Sequence, residues 1–278
     1  MPYNPHPDNC MQGACSPTAG ETPHSCRWTM GLVPVHPDET LEWLTPDGMA
    51  VIQKKQGFRF GTDALALARF ALSHLRRGNG KKPLASVLDL GTGSGILPLL
   101  LARDTPATQV TGIEIQPEMA NMASRSVIGN TLSHRICIVE GDLKSAGSLI
   151  GRGSQDLVLS NPPYQPIGAA LRSGREGVDA ARHEVLCTLA DVVAQASACL
   201  RPGGAFCLVH KPERLTELML LLNREGLEPK QLQFLHPHAG KPPSLMLVRA
   251  LRGGRRGLHV LPPLLREPQK GTTHGHCD

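Results

Sequence analysis

Two short stretches bring together residue types suited to chemistry. The first is Asp89-Leu90-Gly91-Thr92-Gly93-Ser94-Gly95, set where a strand-like run gives way to a helix-like one. Glycines at such a junction let the backbone turn sharply and approach a ligand closely, beside the free N–H groups of a helix start. Dinucleotide-binding turns read G-x-G-x-x-G, but Ile96 stands where the third glycine belongs, and an acid precedes the first glycine by two residues. An aspartate there repels a pyrophosphate and suits a ligand carrying an ammonium, such as the methionine end of S-adenosylmethionine. Glu114 ends the next strand-like run, nineteen residues beyond Gly95, a spacing at which a carboxylate accepts hydrogen bonds from ribose hydroxyls. Asp142 ends the third such run and is placed to receive an adenine amino group, with Ile115 and Leu143 as apolar walls. Each acid alone reads equally as a solvated loop carboxylate. Three at consecutive strand tips, where open α/β sheets bind ligands, indicate a cofactor crevice.

The second stretch is Asn161-Pro162-Pro163-Tyr164, directly after a fourth strand-like run. In isolation it reads as a turn. Beside a methyl donor it acquires another meaning. An exocyclic amino nitrogen conjugated to a ring is a poor nucleophile, because its lone pair is delocalised. Two fixed acceptors, the Asn161 side-chain carbonyl and the Pro162 backbone carbonyl, would draw its N–H bonds out of the ring plane and concentrate the lone pair toward an electrophile. Pro162 and Pro163 stiffen the loop. Tyr164 would stack on the flat substrate and hold it in line with the methyl group.

These residues need an alternating chain to position them. Leu41–Leu44 and Met49–Gln53 flank Thr45-Pro46-Asp47-Gly48 as a predicted hairpin, and Thr62 caps a helix with Leu65, Ala68, Leu72 and Leu75 on its apolar face. Strands are then predicted at 86–90, 110–115, 136–140, 156–160 and 205–209. Helices are predicted from Ile96, from Pro117, over 183–199 and over 213–223. Two more strands near 231–235 and 245–250, without a clear helix between them, suggest an antiparallel hairpin at the sheet edge. The expectation is an α/β fold: a doubly wound, mostly parallel seven-stranded sheet with a C-terminal antiparallel edge hairpin. Residues 1–37 are expected as a flexible extension, 38–80 as the hairpin and helix packing on the core, 81–265 as the core, and 266–278 as a flexible basic tail.

Composition narrows the class. With 29 Gly and 24 Pro in 278 residues the chain is neither collagenous nor wholly disordered. No apolar run reaches the roughly 18 residues of a membrane span, and no signal pattern opens the chain, so a soluble, cytoplasmic protein is expected. Residues 1–240 balance at 22 basic and 22 acidic side chains, whereas from Lys241 onward seven Lys/Arg face two acids. A basic terminal segment meets phosphates or aids solubility. Cys137, Cys187, Cys199 and Cys207 sit in apolar patterns as small hydrophobes. Cys10, Cys15 and Cys26, near His24, match no usual zinc spacing, so no metal is expected.

The glycine-rich turn, the acid at the second strand tip and NPPY after the fourth strand together resemble class I S-adenosylmethionine-dependent amino-methyltransferases. NPPY is shared by adenine-N6 DNA methyltransferases, release-factor glutamine methyltransferases and RNA enzymes. The finer resemblance is to bacterial tRNA adenine-N6 methyltransferases acting on the adenine beside the anticodon of a valine tRNA. It rests on Gly57-Phe58-Arg59-Phe60-Gly61-Thr62-Asp63-Ala64, Ala181-Arg182-His183-Glu184 and Lys241-Pro242-Pro243-Ser244-Leu245, and it covers roughly residues 38–265. The resemblance implies that Phe60, Thr62 and Asp63 lie over the cofactor, near its methionine end, with Asn161 also bordering it. The alternative is a strand-to-helix turn whose Phe residues fill core space. Arg172, Arg175 and Arg182 fall in a loop that either folds over an RNA substrate or is merely solvated. Arg252, Arg255 and Arg256 are expected to meet RNA phosphates. A glutamine methyltransferase of a protein partner and a non-catalytic RNA-binding module remain as alternatives. The short segment before the core and the basic terminal segment favour tRNA over a release factor, and the intact Asp89, Glu114, Asn161 and Tyr164 favour an enzyme.

Overall fold

The computed structural model describes residues 33–46, 48–56, 61–75, 86–105, 109–164 and 187–266. The Cys-containing start of the chain, Phe60, the loop carrying Arg172, Arg175, Arg182 and His183, and residues 267–278 lie outside them.

The elements run β1 (Glu39–Trp43), β2 (Ala50–Lys54), α1 (Thr62–Leu75), β3 (Ser86–Leu90), α2 (Ile96–Asp104), β4 (Gln109–Glu114), α3 (Pro117–Gly129) and β5 (Ile136–Glu140). After short helical turns at Leu143–Ser145 and Ala146–Leu149 come β6 (Gln155–Ser160), α4 (Leu189–Cys199), β7 (Leu200–His210), α5 (Leu215–Arg224), β8 (Leu227–His236) and β9 (Leu245–Arg252). Two short strands, β10 (His259–Val260) and β11 (Leu264–Leu265), end the series.

Strands β3 to β7 are parallel, in the order β7-β6-β3-β4-β5. Beyond β7, β9 and then β8 pair antiparallel, the expected hairpin. It differs from expectation at its rim: β10 and β11 pair parallel to β8 and cover its outer edge. Covering an edge strand removes a row of unpaired backbone groups that would otherwise recruit another chain.

Both faces of the sheet are buried, so strand residues alternate between two cores rather than between core and water. Val87, Leu157, Leu159, Cys207, Val209 and Leu247 pack with α1 and α2 on one face. Leu88, Leu90, Val158, Phe206, Leu208 and Met246 pack with α4 and α5 on the other. Burial raises the thiols of Cys199 to about 11 and Cys207 to about 12, which leaves them as inert core groups. Helix α4 begins with a Thr188–Asp191 capping box. A tight turn at Pro212–Arg214 precedes α5, where the sequence suggested an uninterrupted helix.

The β1–β2 hairpin forms its own two-stranded sheet and is laced to α3 by side chains. Asn130 Oδ1 accepts from Ala50 N (3.0 Å), Asn130 Nδ2 donates to Ala50 O (2.6 Å), and Ser126 Oγ accepts from Ile52 N (2.9 Å). Glu39 and Arg125 form a buried two-pronged ion pair. Although burial works against the Glu39 carboxylate, the Arg125 fork and the His36 N–H hold its pKa below the ordinary value. Gln53 on β2 donates to Ser94 Oγ (3.3 Å), so the hairpin also braces the glycine-rich turn. Asn130→Ala leaves the Ala50 backbone groups buried and unpaired. It should lower stability by about 1–3 kcal/mol in urea unfolding and speed hydrogen exchange at the Ala50 amide.

Candidate active site

The chain winds outward from β3 through β4 to β5, then returns to the other side of β3 as β6. The reversal lies between β3 and β6, which are hydrogen-bonded neighbours with Asp89 opposite Leu159. Open α/β sheets bind ligands in the crevice at such a reversal, at the C-terminal strand ends. The Ser160 hydroxyl, fully buried, donates to the Leu90 carbonyl at 2.9 Å. One bond therefore ties the residue before Asn161 to the residue before Gly91, and the two motifs share one end of the sheet.

In the glycine-rich turn, Gly91, Gly93 and Gly95 adopt φ of 75°, 57° and 84°, conformations that favour glycine. Gly112 on β4 makes room for the turn: a Cβ there would lie 2.7 Å from Thr92 Oγ1. The turn's N–H groups point inward. Gly91 N and Thr92 N both donate to Ile113 O (3.0 Å each), Gly93 N donates to Glu114 Oε2 (2.8 Å), and Gly95 N donates to Thr92 O (3.0 Å). A phosphate-binding turn needs such groups free.

What the turn offers instead is an acceptor. Asp89 is fully buried, and neither carboxylate oxygen has a well-formed hydrogen bond. Burial pushes its pKa up to about 7, with the neighbouring Thr92 side chain opposing and the Glu114 charge adding. A buried, unsatisfied carboxylate fits a cationic ligand group that would pair with it. The residues present thus suit S-adenosylmethionine better than a dinucleotide.

The remaining predicted cofactor residues divide. Glu114 stands at the β4 tip, but its oxygens already serve the backbone: Oε2 accepts from Gly93 N and Oε1 from Gln116 N (3.0 Å). Only its remaining lone pairs are open to a ribose. Asp142 caps the Leu143–Ser145 turn by accepting from Lys144 N (2.9 Å) at Oδ1, and its Oδ2 lies 3.8 Å from Lys144 Nζ, an exposed ion pair that a ligand would have to share. Leu143 is buried and Ile115 half-buried, as walls require. Gly95 supports packing, since a Cβ there would lie 3.1 Å from Ala123 Cβ on α3. Thr62 opens α1, and Asp63 follows it, nearly buried.

Around NPPY, Pro162 is buried and Asn161, Pro163 and Tyr164 are half-buried. The Asn161 carbonyl, expected to be open toward substrate, accepts from the Tyr164 hydroxyl, while Asn161 Nδ2 donates to Asp63 Oδ2 at 3.3 Å. Tyr164 also donates to Asp63 Oδ2 at 2.8 Å. Asp63 therefore meets NPPY directly, a role the sequence did not disclose. His210 and Lys211, at the tip of β7, were missed as well. The His210 ring stands edge-on to Tyr164 (centroids 5.5 Å apart), and Lys211 Nζ lies 5.6 Å from the Tyr164 ring centre. Burial, with Arg214 adding, lowers His210 to about 4, and its Nδ1 accepts from Lys211 N, so the ring is neutral with its hydrogen on Nε2. Their signal was available: they end a strand neighbouring the one that carries NPPY.

The C-terminal arginines lie elsewhere. Arg252 ends β9, antiparallel to β7, and donates to Leu200 O at the start of β7. From Met246, paired with His210, to Arg252 is about 20 Å of strand, toward the opposite end of the sheet. Arg255 and Arg256 follow on that side, exposed. The chain then returns along β8, so that Arg266 N donates to His236 O at the crevice end.

Among solved structures, one described as a predicted O-methyltransferase from Agrobacterium tumefaciens superposes with a TM-score of 0.57 at 23% identity, covering 76% of this chain and 90% of that one. A geranyl diphosphate C-methyltransferase from Streptomyces coelicolor, in complex with S-adenosyl-L-homocysteine, gives 0.50 at 14% identity, covering 68% and 77%. The fold is that of class I methyltransferases. The methyltransferase small domain family model matches residues 66–224, and the chain belongs to that family.

Two Porphyromonas gingivalis proteins named tRNA1(Val) (adenine(37)-N6)-methyltransferase are similar in sequence. One is 36% identical over 168 residues (58% of this chain, 62% of that protein), the other 32% over 195 residues (68% and 72%). A release factor glutamine methyltransferase from Deinococcus radiodurans is 33% identical over 193 residues (61% and 63%). Against the first and third, the chain spans less than two thirds of the relative's length.

The Asp89 pKa has a sign that can be tested on the ligand-free protein. Because the folded value lies above the ordinary aspartate value of 3.8, this group's contribution to stability is full below pH 4 and is lost as pH rises through 7. Asp89→Asn should melt several degrees above the parent at pH 8, at about 2–4 °C per kcal/mol. The difference should shrink as pH falls toward 4, while cofactor affinity is lost. Equal melting curves at pH 8 would mean that Asp89 is not strained.

Proposed function

We propose that this chain is an S-adenosylmethionine-dependent methyltransferase that modifies the exocyclic N6 of an adenine in tRNA, in the anticodon-loop region of a valine tRNA. The observation that carries the reading is the Ser160–Leu90 bond between neighbouring strand tips, which brings the acidic glycine turn and NPPY to one crevice. The names of the two Porphyromonas relatives supply the substrate.

When bound, S-adenosylmethionine supplies a methyl group on a positively charged sulfur, already strongly electrophilic. Asp89 would hold the ammonium of the methionine part, Glu114 the ribose hydroxyls and Asp142 the adenine amino group, with Ile115 and Leu143 as apolar walls. The target adenine leaves its stack and enters the crevice. Asn161 Oδ1 and the Pro162 carbonyl accept its two amino hydrogens and draw nitrogen lone-pair density toward the methyl group. Tyr164, whose ring meets that of His210 edge-on and has Lys211 Nζ 5.6 Å from its centre, would lie against the base. The sulfur–methyl bond would break as the nitrogen–methyl bond forms, and the nitrogen, then cationic and strongly acidic, would give its surplus proton to solvent, so the step needs positioning and no strong base.

The Deinococcus relative favours one alternative, methylation of a protein glutamine, whose planar amide the same acceptors would grip. Tritium-labelled methyl transfer, run in parallel on total tRNA and purified release factor, separates the two. Label is expected in tRNA; label only in release factor supports the alternative, and label in neither overturns both. Asn161→Ala should lower turnover by roughly 10²–10³-fold while cofactor affinity stays near that of the parent. Turnover near the parent's would remove NPPY from the chemistry.

A further inference from the structure

The Tyr164 hydroxyl has one proton and two acceptors: Asp63 Oδ2 at 2.8 Å and Asn161 Oδ1. Only one of them can take a full hydrogen bond at a time. Asn161 Oδ1 is also the atom that the proposed chemistry needs for the substrate amino group, so phenol and substrate compete for it.

Asp63 stands on α1, 98 residues before Asn161, and nearly buried. A carboxylate offers acceptors alone. Its Oδ1 takes the Ala64 N–H (2.9 Å), and its Oδ2 faces both the Tyr164 hydroxyl and Asn161 Nδ2. This fixes the otherwise symmetric-looking Asn161 amide with its nitrogen toward Asp63 and its oxygen turned away from it.

We infer that Asp63 is a positioning residue that takes over the Tyr164 hydrogen bond when substrate arrives, releasing Asn161 Oδ1 to the amino group with the amide already correctly turned. No buried hydroxyl is stranded in the exchange, because the phenol keeps a partner throughout. The role differs from the cofactor contact that the sequence resemblance implied for Asp63. It rests on the NPPY chemistry proposed above, and it applies equally whether the planar nitrogen belongs to adenine or glutamine.

The test is a double-mutant cycle. Without Asp63 the phenol has Asn161 Oδ1 as its acceptor and blocks it, so Asp63→Ala should lower kcat by about 10–100-fold, with a smaller change in cofactor KM. Tyr164→Phe keeps the ring and removes the competing hydroxyl, and its kcat is the reference against which the double variant is read. The double variant should recover well above the product of the two singles, because the competitor is gone, while the Asn161 amide still lacks its Asp63 acceptor. A double variant as poor as the product of the two singles overturns the inference, since a purely structural Asp63 gains nothing from losing a second hydrogen bond.

The acceptor is whichever of tRNA or release factor the parent labels, so failure of the tRNA reading leaves the cycle intact. A second measurement needs no methyl transfer and covers an Asp63→Ala protein that does not fold. The chain has two tyrosines. In a Tyr3→Phe background the near-UV tyrosine absorbance reports Tyr164, and a phenol that donates to a carboxylate absorbs at longer wavelength than one donating to a neutral acceptor. Asp63→Asn should shift this band to shorter wavelength at neutral pH. Coincident spectra would show that Asp63 does not hold this proton and would overturn the inference.

Discussion

Everything in this protein that has to meet a ligand depends on two strands being neighbours although some seventy residues separate them in the chain. β3 and β6 pair because the winding reverses between them, and the Ser160–Leu90 bond closes the gap at their tips. At a strand spacing of about 4.8 Å, two motifs leaving adjacent tips cannot avoid sharing a crevice. The double burial of the sheet makes the register robust. A one-residue slip of β6 would send Leu157 and Leu159 to the face that Val158 fills, and both cores would lose their packing.

That scaffold holds one costly group. Asp89 sits in the sheet interior with its charge unpaired, and the turn above it spends its N–H groups on Ile113 and Glu114. The usual use of a glycine turn at a helix start is anion binding, through free N–H donors. Here the N–H groups of Gly91, Thr92, Gly93 and Gly95 are already engaged and the Asp89 carboxylate is left without a partner, which favours a ligand carrying a cationic group. Glu114 takes part by pinning Gly93 from below. The stability given up by the ionised Asp89 is recovered by a proton, as the raised pKa requires, or by any cationic group that pairs with it.

The second half of the site is assembled from three directions. Asp63 comes from the start of α1, Asn161 and Tyr164 from the β6 tip, and His210 with Lys211 from the β7 tip. Tyr164 is the common member: its hydroxyl is held from one side and its ring is bordered on another. A ring so constrained would lose little freedom if a flat group lay on it. The hairpin contributes at a distance, because Gln53 braces Ser94 and the Asn130 and Ser126 side chains hold β2 in place.

Local pattern was sufficient for most of the architecture. Alternating apolar runs marked every principal strand, and the acid-plus-glycine turn and NPPY were visible as contiguous residues whose chemistry follows from their types. Contiguous signals survive in sequence because backbone geometry at a turn is set by the residues in that turn. What only the tertiary structure decided are the relations between segments far apart in the chain. Asp63 belongs with Asn161 and Tyr164 because α1 packs across the sheet; the residues around Thr62 pointed, by resemblance, to the cofactor, and not to the Tyr164 hydroxyl or the Asn161 amide. Arg252 lies at the far end of the sheet because β9 runs antiparallel to β7, so a basic cluster close in sequence to the last strand ends about 20 Å of strand from the crevice end. Side-chain direction and charge pairing depend on which neighbour a folded chain supplies, and a linear sequence does not carry that choice in any single place.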